Sequence, residues 1–382
     1  MGVVRRATAL RWTVALGGTI AIGLLPTVVA ALPAKDSGHT PRQLVAEARD
    51  SAGIAHQGYA ETTGSLGLPD LPRLDEVAAL FGSTTHARVW WRSPQAWRVA
   101  EVTPTGERDT YAWHAALHTW DFEGRTVQTI VAVSPVRLPR LDDMLPPQAA
   151  RRILAGVTGK DHLSALPAKR IAGRSADGVR IVPAPTDSTV GRVDLYVDSA
   201  TGLPLSVQVY PRGSSNAAMT SHFLDIRLTS PGDSVLTPRS PLDVPIATVL
   251  VPDIAAFVDV FGPYVLPDRL GTFQRRGDLV SFGGAATYGE GLAQFIVFPL
   301  SPELGRQAFN AAAAGGIPLQ ISGGAAVLVG TPLLNAVIAH GNRETGIALD
   351  NRGRSYLIAG TVQPDTLRAA VVALFANPPP AK

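Results

Sequence analysis

Histidine and aspartate are the residue types here that could bind a metal or transfer protons, but their surroundings favour structural roles. His114 and His118 lie four residues apart, a spacing that binds metals on a helix, yet this segment predicts strand–turn–strand and lacks the acidic partner of an HExxH pattern. Asp142 and Asp143 precede a predicted helix, where carboxylates stabilise the helix dipole. Asp198 stands before a glycine turn, a common position for aspartate. The sequence therefore predicts no catalytic residue and no metal ligand.

Glycine-rich loops and cysteines also suggest no chemistry. Paired glycines at 283–284, 315–316 and 323–324 lack the Lys-Ser/Thr that follows a phosphate-binding loop, and Gly289 and Gly291 precede a strand rather than a helix. The chain has no cysteine, which excludes disulfides, thiolate catalysis, cysteine-based zinc sites and a lipid-modified N-terminal cysteine. We therefore expect a non-enzymatic protein without a cofactor. An extracytoplasmic hydrolase is the less favoured alternative.

Aromatic residues provide the candidate binding site, because five tryptophans cluster within about thirty residues. Alternation along a strand places Trp90 and Trp91 on opposite faces, so one of them must face solvent, a helix or a ligand. The cluster forms either a wall of an apolar pocket or ordinary packing of a sheet. We interpret the apolar residues of 66–80 as a flap over that pocket. The candidate pocket residues are Tyr59, Leu71, Leu74, Phe81, Trp90, Trp91, Trp97, Trp113 and Trp120.

The N-terminus predicts a membrane segment. Arg5, Arg6 and Arg11 precede an uncharged, mostly apolar stretch at 12–34 that is long enough to cross a bilayer as a helix. The excess of arginine before this stretch places the remainder of the chain outside the cytoplasm. Two alternatives stay open, an uncleaved single-pass anchor in the cell membrane or a cleaved signal that releases a periplasmic or secreted protein.

Composition indicates a folded, two-domain protein. The chain has 382 residues, of which 46% are hydrophobic and 17% charged, so it can fill sizeable cores. The formal charge is only +3, and no run of Lys and Arg is interleaved with aromatic residues. We therefore expect no nucleic-acid partner.

Strand patterns dominate residues 36–230, with short helices predicted at 42–51, 70–81 and 148–157. We predict an α+β protein whose N-terminal domain is a large curved antiparallel sheet, or half-open β-barrel, with helices packed on its concave side. Its interior either binds lipid-like groups or is filled by side chains. The predicted strands are 56–64, 85–92, 97–103, 108–114, 117–122, 125–133, 169–174, 178–182, 191–197, 204–210 and 221–228.

A smaller α+β domain is predicted at 246–377, after a linker at 231–245 that is rich in Ser, Pro, Thr and Asp. Residues 1–35 form the membrane or signal segment and 378–382 a tail. The second domain is predicted to contain helices at 252–261, 302–314 and 364–376 and strands at 280–282, 285–288, 292–300, 324–329, 345–349 and 354–360.

A series of short motifs carries a resemblance to a known family. They are Gly58-Tyr59, Trp90-Trp91-Arg92-Ser93-Pro94, Trp97-Arg98-Val99, Tyr196-Val197-Asp198, Thr201-Gly202-Leu203-Pro204-Leu205, Phe223-Leu224-Asp225, Leu266-Pro267, Tyr288-Gly289-Glu290-Gly291-Leu292-Ala293 and Tyr356–Val362. Their order resembles the RseB/MucB group of periplasmic sigma-factor regulators, with a LolA/LolB-like first domain. The resemblance covers most of residues 50–376 and is closest to actinobacterial members that have a single anchor and no lipobox.

The resemblance implies a binding function. Members hold a hydrophobic ligand, often the acyl part of a lipid or lipoprotein, in a half-open barrel. RseB itself senses envelope stress and restrains release of a sigma factor by binding a membrane anti-sigma factor. We therefore expect an extracytoplasmic lipid-binding sensor with an anti-sigma partner. Two alternatives stay open, a lipid or lipoprotein carrier without signalling and a purely protein-binding envelope regulator.

Overall fold

The computed structural model describes residues 34, 36–66, 75–131, 139–238, 246–250, 265–277, 285–341 and 354–376. Outside these ranges lie the predicted membrane segment up to residue 33, the pocket candidates Leu71 and Leu74, and the elements predicted at 252–261, 280–282 and 345–349. Within the described ranges, no helix combines the length and apolar character needed to span a membrane.

One large open sheet forms the first domain. Its strands are β1 (His56–Gly64), β2 (Thr84–Ser93), β3 (Ala96–Val102), β4 (Glu107–Trp113), β5 (Ala116–Asp121), β6 (Thr126–Val131), β7 (His162–Ile171), β8 (Arg174–Val182), β9 (Val190–Asp198), β10 (Pro204–Pro211), β11 (Met219–Arg227) and β12 (Ile246–Leu250). The spatial order is β12-β6-β5-β4-β3-β2-β1-β11-β10-β9-β8-β7. All neighbours pair antiparallel except β12, which runs parallel to β6. The sheet stays open, with β12 and β7 at its edges, and the predicted fold class is confirmed.

Helices cover the inner face of this sheet. They are α1 (Pro41–Asp50), α2 (Asp75–Gly82), α3 (Leu141–Met144) and α4 (Pro146–Ala155), and a short helix, α5 (Asp233–Leu236), follows β11. Helix α1 begins with a capping box, in which Thr40 and Gln43 satisfy each other's backbone N–H groups. It packs against α4 and β8. Arg49 of α1 donates to the carbonyls of Leu154 and Val157, each at 2.7 Å, and so caps the C-terminal end of α4.

The second domain is a smaller layered unit. It contains a two-stranded hairpin and a six-stranded antiparallel sheet in the order β15-β16-β20-β19-β18-β17. Helix α6 packs on one face of this sheet, around Val327 and Ile338, and α7 packs on the other, around Tyr356 and Ile358. The elements are β13 (Arg269–Leu270), β14 (Phe273–Gln274), β15 (Ala286–Glu290), β16 (Ala293–Leu300), α6 (Pro302–Ala313), β17 (Ile317–Ile321), β18 (Gly324–Gly330), β19 (Asn335–Gly341), β20 (Ser355–Gly360) and α7 (Pro364–Ala376).

The two domains share an interface of apolar and hydrogen-bonded groups. Leu292 and Leu333 of the second domain belong to the hydrophobic core of the first. Two buried hydroxyls of the first domain seal this contact: Ser188 donates to the Leu292 carbonyl at 3.0 Å, and Thr189 donates to the Leu333 carbonyl at 2.5 Å. A backbone hydrogen bond from Gln363 to the Asp187 carbonyl extends the contact. The domains are therefore packed together by apolar and polar groups, not only tethered by the chain.

The sequence predicted most elements within a few residues, but it missed the short hairpin of β13 and β14 and four further strands or parts of strands. The predicted strand at 169–174 is wrong, because the chain reverses at Ala172-Gly173, where both residues have positive φ (47° and 78°). An alanine in this conformation gives no turn signal. Strands β12, β17 and β19 and the first half of β7 were not predicted. The domain boundary at 245/246 stays a prediction, although β12 (Ile246–Leu250) pairs with the first sheet.

Replacing Leu292 tests the docked interface. We expect Leu292→Ala to lower the free energy of unfolding by about 2–4 kcal/mol, because a buried leucine is truncated within the core of the other domain. Glu290→Ala is the matched control, since its ion pair with Lys160 crosses the same interface but is exposed and is worth less than about 1 kcal/mol. Urea denaturation measures both variants. Equal losses of stability would show that Leu292 does not couple the domains.

Candidate binding site

The tryptophans divide between the two faces of the large sheet. Trp91 of β2 and Trp97 of β3 are cross-strand partners on the inner face, only 5% and 4% exposed. Their rings stack with centroids 5.8 Å apart and planes 9° apart. Trp90 precedes Trp91 on β2, pairs with Arg98 of β3 and points to the outer face. Alternation therefore predicted the split correctly, and the inner member is Trp91.

The inner aromatic wall extends beyond the two indoles. His56 of β1 stacks on Trp91, with ring centroids 6.2 Å apart, and Phe223 of β11 meets His56 edge-on at 5.7 Å. The Trp91 indole N–H donates to the Ala52 carbonyl at 3.0 Å, so the one polar atom of the ring is satisfied. We call His56, Trp91, Trp97 and Phe223 the inner wall. Aliphatic side chains complete it: Val89, Val99, Leu117, Leu145, Leu203, Leu205 and Ile226.

The inner wall becomes more polar and more exposed towards β6, the strand next to the β12 edge of the sheet. Val99 is followed across the sheet by Thr110, Thr119 and Gln128, which occupy the same inward-facing row on β4, β5 and β6. The threonines are half-buried and Gln128 is exposed. An apolar group bound against Trp97 would therefore have a solvated approach from this edge.

Polar atoms on the inner face are only partly satisfied. His56 donates from Nδ1 to the Ile54 carbonyl at 2.9 Å, but its Nε2 is buried without a partner. Burial, together with the nearby charge of Arg151, lowers the pKa of His56 to about 4. The side-chain amide of Gln148 on α4 is buried with neither its oxygen nor its nitrogen hydrogen-bonded. Sequence reasoning did not select these residues, because no motif marks them.

The outer face carries a separate charged and aromatic cluster. Arg98 lies over Trp90, 4.6 Å from the ring centroid, and donates to both carboxylate oxygens of Asp109 at 3.1 and 2.8 Å. Burial raises the pKa of Asp109 to about 6, although Arg98 acts in the opposite direction and Glu107 adds to the rise. This cluster is built from paired charges and therefore packs the sheet on its outer side.

The remaining pocket candidates do not join the inner wall. Tyr59 stacks on His86 with centroids 5.6 Å apart, on the outer face. Trp113 meets His114 edge-on at 4.8 Å, and Trp120 packs with Val127. Phe81 packs against the core between helices and sheet. The structure thus brings Trp91 and Trp97 together and places Tyr59, Trp90, Trp113 and Trp120 on the opposite side, while the role of each residue in ligand binding stays a prediction.

The histidines and aspartates considered for chemistry occupy structural positions. His114 and Ala115, with φ of 49° and 59°, form the tight turn between β4 and β5. Asp143 accepts from the backbone N–H of Arg140 at 2.9 Å and so caps α3. Asp198 accepts from Thr201 at 2.7 Å and from both nitrogens of the Arg174 fork at 2.6 and 3.0 Å. Turn and capping interactions therefore account for these residues.

Two polar cavities lie away from the inner wall. One, of about 480 Å³, is lined by Ser37, Arg174 and Asp198 near the start of the described chain. The other, of about 720 Å³, lies between the domains and is lined by Arg269, Arg275, Arg276, Asp187 and Glu290 among others. Both mix charges of opposite sign, so neither provides the apolar lining that an acyl chain requires.

The two adjacent tryptophans give a matched pair of variants. We expect Trp91→Ala to lower the free energy of unfolding by about 3–5 kcal/mol, because it removes a buried ring stacked on both sides. Trp90→Ala removes a half-buried ring that contacts Arg98 and should cost clearly less, about 1 kcal/mol. Chemical denaturation followed by circular dichroism measures both. A larger loss for Trp90→Ala would reverse the assignment of inner and outer faces.

His56 makes stability depend on pH. Its pKa is lowered from 6.5 to about 4, so the unfolded chain binds a proton between these values while the folded chain does not. The neutral His56 side chain therefore contributes to the free energy of unfolding above pH 6.5. This contribution is lost as the pH falls towards 4, by up to about 3 kcal/mol. His56→Phe should therefore flatten this acid-side loss of unfolding free energy, measured by urea denaturation at several pH values.

Asp109→Asn is the control of opposite sign. Because the pKa of Asp109 is raised to about 6, its contribution to stability is lost as the pH rises from about 4 to 6. Without this carboxyl, the free energy of unfolding should therefore fall more steeply as the pH is lowered. If the unfolding free energy of the His56→Phe variant fell with pH as steeply as that of the unaltered chain, this result would contradict burial of a neutral imidazole in the inner wall.

Comparison with solved structures finds similar proteins at low sequence identity. No protein-family model and no curated protein matches the chain. The structure of the Pseudomonas aeruginosa MucA/MucB complex matches at 17% identity, covering 87% of this chain and 96% of that one, with a TM-score of 0.47. A structure of MucB alone matches at 16% identity over 88% and 98% of the two chains, with a TM-score of 0.43. A LolA superfamily protein from Nitrosomonas europaea matches at 14% identity over 53% and 99%, with a TM-score of 0.24. The matched region covers most of the chain for MucB and about half of it for the LolA superfamily protein.

Proposed function

We propose that the chain is an extracytoplasmic, non-enzymatic binding protein that holds an acyl group against the inner wall of its open sheet. The observation that carries this proposal is the stack of His56, Trp91 and Trp97 on the face that the helices cover. An aromatic and aliphatic wall of this kind matches the shape and polarity of a hydrocarbon chain.

An acyl chain can reach this wall from the side of β6, next to the β12 edge of the sheet. The half-buried row of Thr110 and Thr119 leads towards Val99 and Trp97. The next row on that face holds Arg108, which pairs with Glu101 and Asp121 and so borders this approach. The helices that cover the wall contribute Leu145 of α4 and are held mainly by apolar contacts. Such contacts are non-directional, so a bound chain can replace part of them at small cost.

The proposed location follows from the amino-terminal sequence. A basic region followed by an apolar stretch directs the rest of the chain out of the cytoplasm, whether or not the segment is later removed. Acyl groups of lipids and lipoproteins are available there, so ligand and location agree.

The second candidate function is a purely protein-binding regulator of the envelope. The cavity between the domains favours it, because Arg269, Arg275 and Arg276 outnumber Asp187 and Glu290 in its lining and could pair with acidic side chains of a peptide segment. The sequence resemblance implies an anti-sigma factor of the membrane as the partner. The two functions are compatible, since an acyl ligand in the first domain could bias the contact.

Extraction of bound lipid tests the first candidate. We expect the full chain, purified from a host envelope without added lipid, to release an acylated species in a near 1:1 ratio, identified by mass spectrometry. Thr119→Trp should reduce this ratio several-fold, because it fills the inward row beside Thr110.

Ala116→Trp is the matched control. It introduces the same ring on the same strand but on the outer face, where Ala116 pairs with Trp113. A chain that carries no acyl group, and that binds none when lipid is supplied, would contradict the proposal. Capture of an anti-sigma periplasmic segment by that lipid-free chain would then establish the second candidate.

A further inference from the structure

Several buried side-chain polar atoms of the first domain have no hydrogen-bond partner in the described part of the chain, and three of them belong to two side chains near the inner wall. These three are His56 Nε2 and both polar atoms of the Gln148 side chain. His56 is 1% exposed and Gln148 is 9% exposed. Buried polar groups in folded proteins are nearly always hydrogen-bonded, so each of these side chains calls for a partner. Arg170, Asp177 and Arg192 each have one such atom as well, but His56 is the one that stacks on Trp91.

Each of these groups has a defined hydrogen-bonding role. His56 donates from Nδ1 to the Ile54 carbonyl, so in the neutral ring Nε2 presents a lone pair and accepts. The Gln148 amide can donate from nitrogen and accept at oxygen. The missing partner therefore contains both acceptor atoms and a donor.

Arg151 supplies an uncompensated positive charge at the same place. It follows Gln148 by three residues on α4 and so lies on the same side of the helix. Its guanidinium carbon is 5.9 Å from the centre of the Trp91 ring, and its charge contributes to the lowered pKa of His56. Burial also lowers the pKa of Arg151 itself, which shows that the cation is partly desolvated.

The neighbouring arginines differ from Arg151, because they have anionic partners. Arg152 pairs with Asp143 at 2.5 Å, and Arg140 pairs with Asp142 at 2.9 Å. Arg151 donates only to the Ser51 hydroxyl, at 3.3 Å, and no carboxylate in the described part of the chain lies within ion-pair distance of it. A half-buried arginine without an anion is suited to bind one from a ligand.

We propose that Gln148, Arg151 and His56 form the site for an oxyanion head group, so that the ligand of the inner wall is a single-chain anionic amphiphile such as a fatty acid or alkyl phosphate. This proposal rests on the proposed function. The oxyanion accepts from the Arg151 guanidinium and the Gln148 amide nitrogen. The remaining hydroxyl of a singly ionised alkyl phosphate donates to His56 Nε2, whereas an ionised carboxylate only accepts and so pairs with Arg151 and Gln148 alone. The hydrocarbon chain then runs along Trp91 and Trp97, which stack on His56.

Matched ligands on the delipidated full chain test this site. The probes share a twelve-carbon chain and differ in the head: dodecanoate, dodecyl phosphate and the neutral glycerol monoester of dodecanoic acid. Acetate and inorganic phosphate represent the free anions. Isothermal titration calorimetry gives each dissociation constant. We expect the anionic amphiphiles to bind at least about tenfold more tightly than the neutral ester, and the free anions not to displace them.

Two variants and one control assign the effect. Arg151→Met and Gln148→Leu keep the volume of the side chain and should each remove most of the tenfold preference for the anionic head while leaving the affinity for the neutral ester nearly unchanged. Arg152→Met removes an arginine from the adjacent position, where the charge is paired and exposed, and should leave the preference intact. Thermal melting checks that each variant folds.

Each other outcome has a definite meaning. Equal affinity of the unaltered chain for anionic and neutral amphiphiles would overturn the head-group site while leaving the proposed function standing, and an ordered water would then satisfy His56 and Gln148. Displacement of dodecanoate by inorganic phosphate would assign the site to a free anion and also overturn the proposal. Binding of no amphiphile would instead refute the proposed function. The selectivity of the unaltered chain decides the question even if a variant does not fold.

Discussion

An open sheet of this size can be stable only if one of its faces is covered, and this constraint organises the whole molecule. Strands β1, β2, β3, β10 and β11 place apolar side chains on the inner face, and helices α1 and α4 bury them. The hydrophobic effect drives this coverage. It is also what places Trp91 and Trp97 under the helices rather than in solvent, so the candidate site is a consequence of how the sheet is covered.

The same constraint explains the charged pairs and the second domain. The outer face is partly closed by bonds such as that of Arg98 to Asp109. The core beneath α4 is completed by Leu292 and Leu333, which come from the second domain. A change in the packing of α4 would therefore be felt at the domain interface, because Gly156 at the end of α4 lies close to Gly291 and Leu292. The inner wall and the domain contact are thus linked through one helix.

Much of the fold could be predicted from the sequence, because alternation and turn chemistry are local signals. Strands β2 to β6 are joined by short turns, and they were all predicted, as was β1. Strand β17 was missed because its exposed Ile317 and Pro318 do not alternate with a buried face. The turn at Ala172-Gly173 was missed because an alanine there adopts a positive φ for which it has no intrinsic preference.

The candidate site could be predicted only in part, because it depends on contacts between residues that are distant in the chain. Alternation requires Trp90 and Trp91 to face opposite ways, but which of them faces inward depends on the register with β1 and β3, which is a long-range property. His56, Gln148 and Arg151 come from a strand and a helix about ninety residues apart in the chain. No local pattern marks such a group, and only the unpaired atoms in the folded structure identify it.

The most direct test of the central claim is to locate a bound acyl chain in the protein. A fatty acid carrying a photoreactive group at its terminal carbon would be bound to the full chain, irradiated, and the labelled peptides identified by mass spectrometry. The account predicts labels on inner-face residues of β2 to β5, beside Trp97, Val99 and Thr110. Labels confined to the outer face, around Tyr59, Trp90 and Trp113, would contradict it.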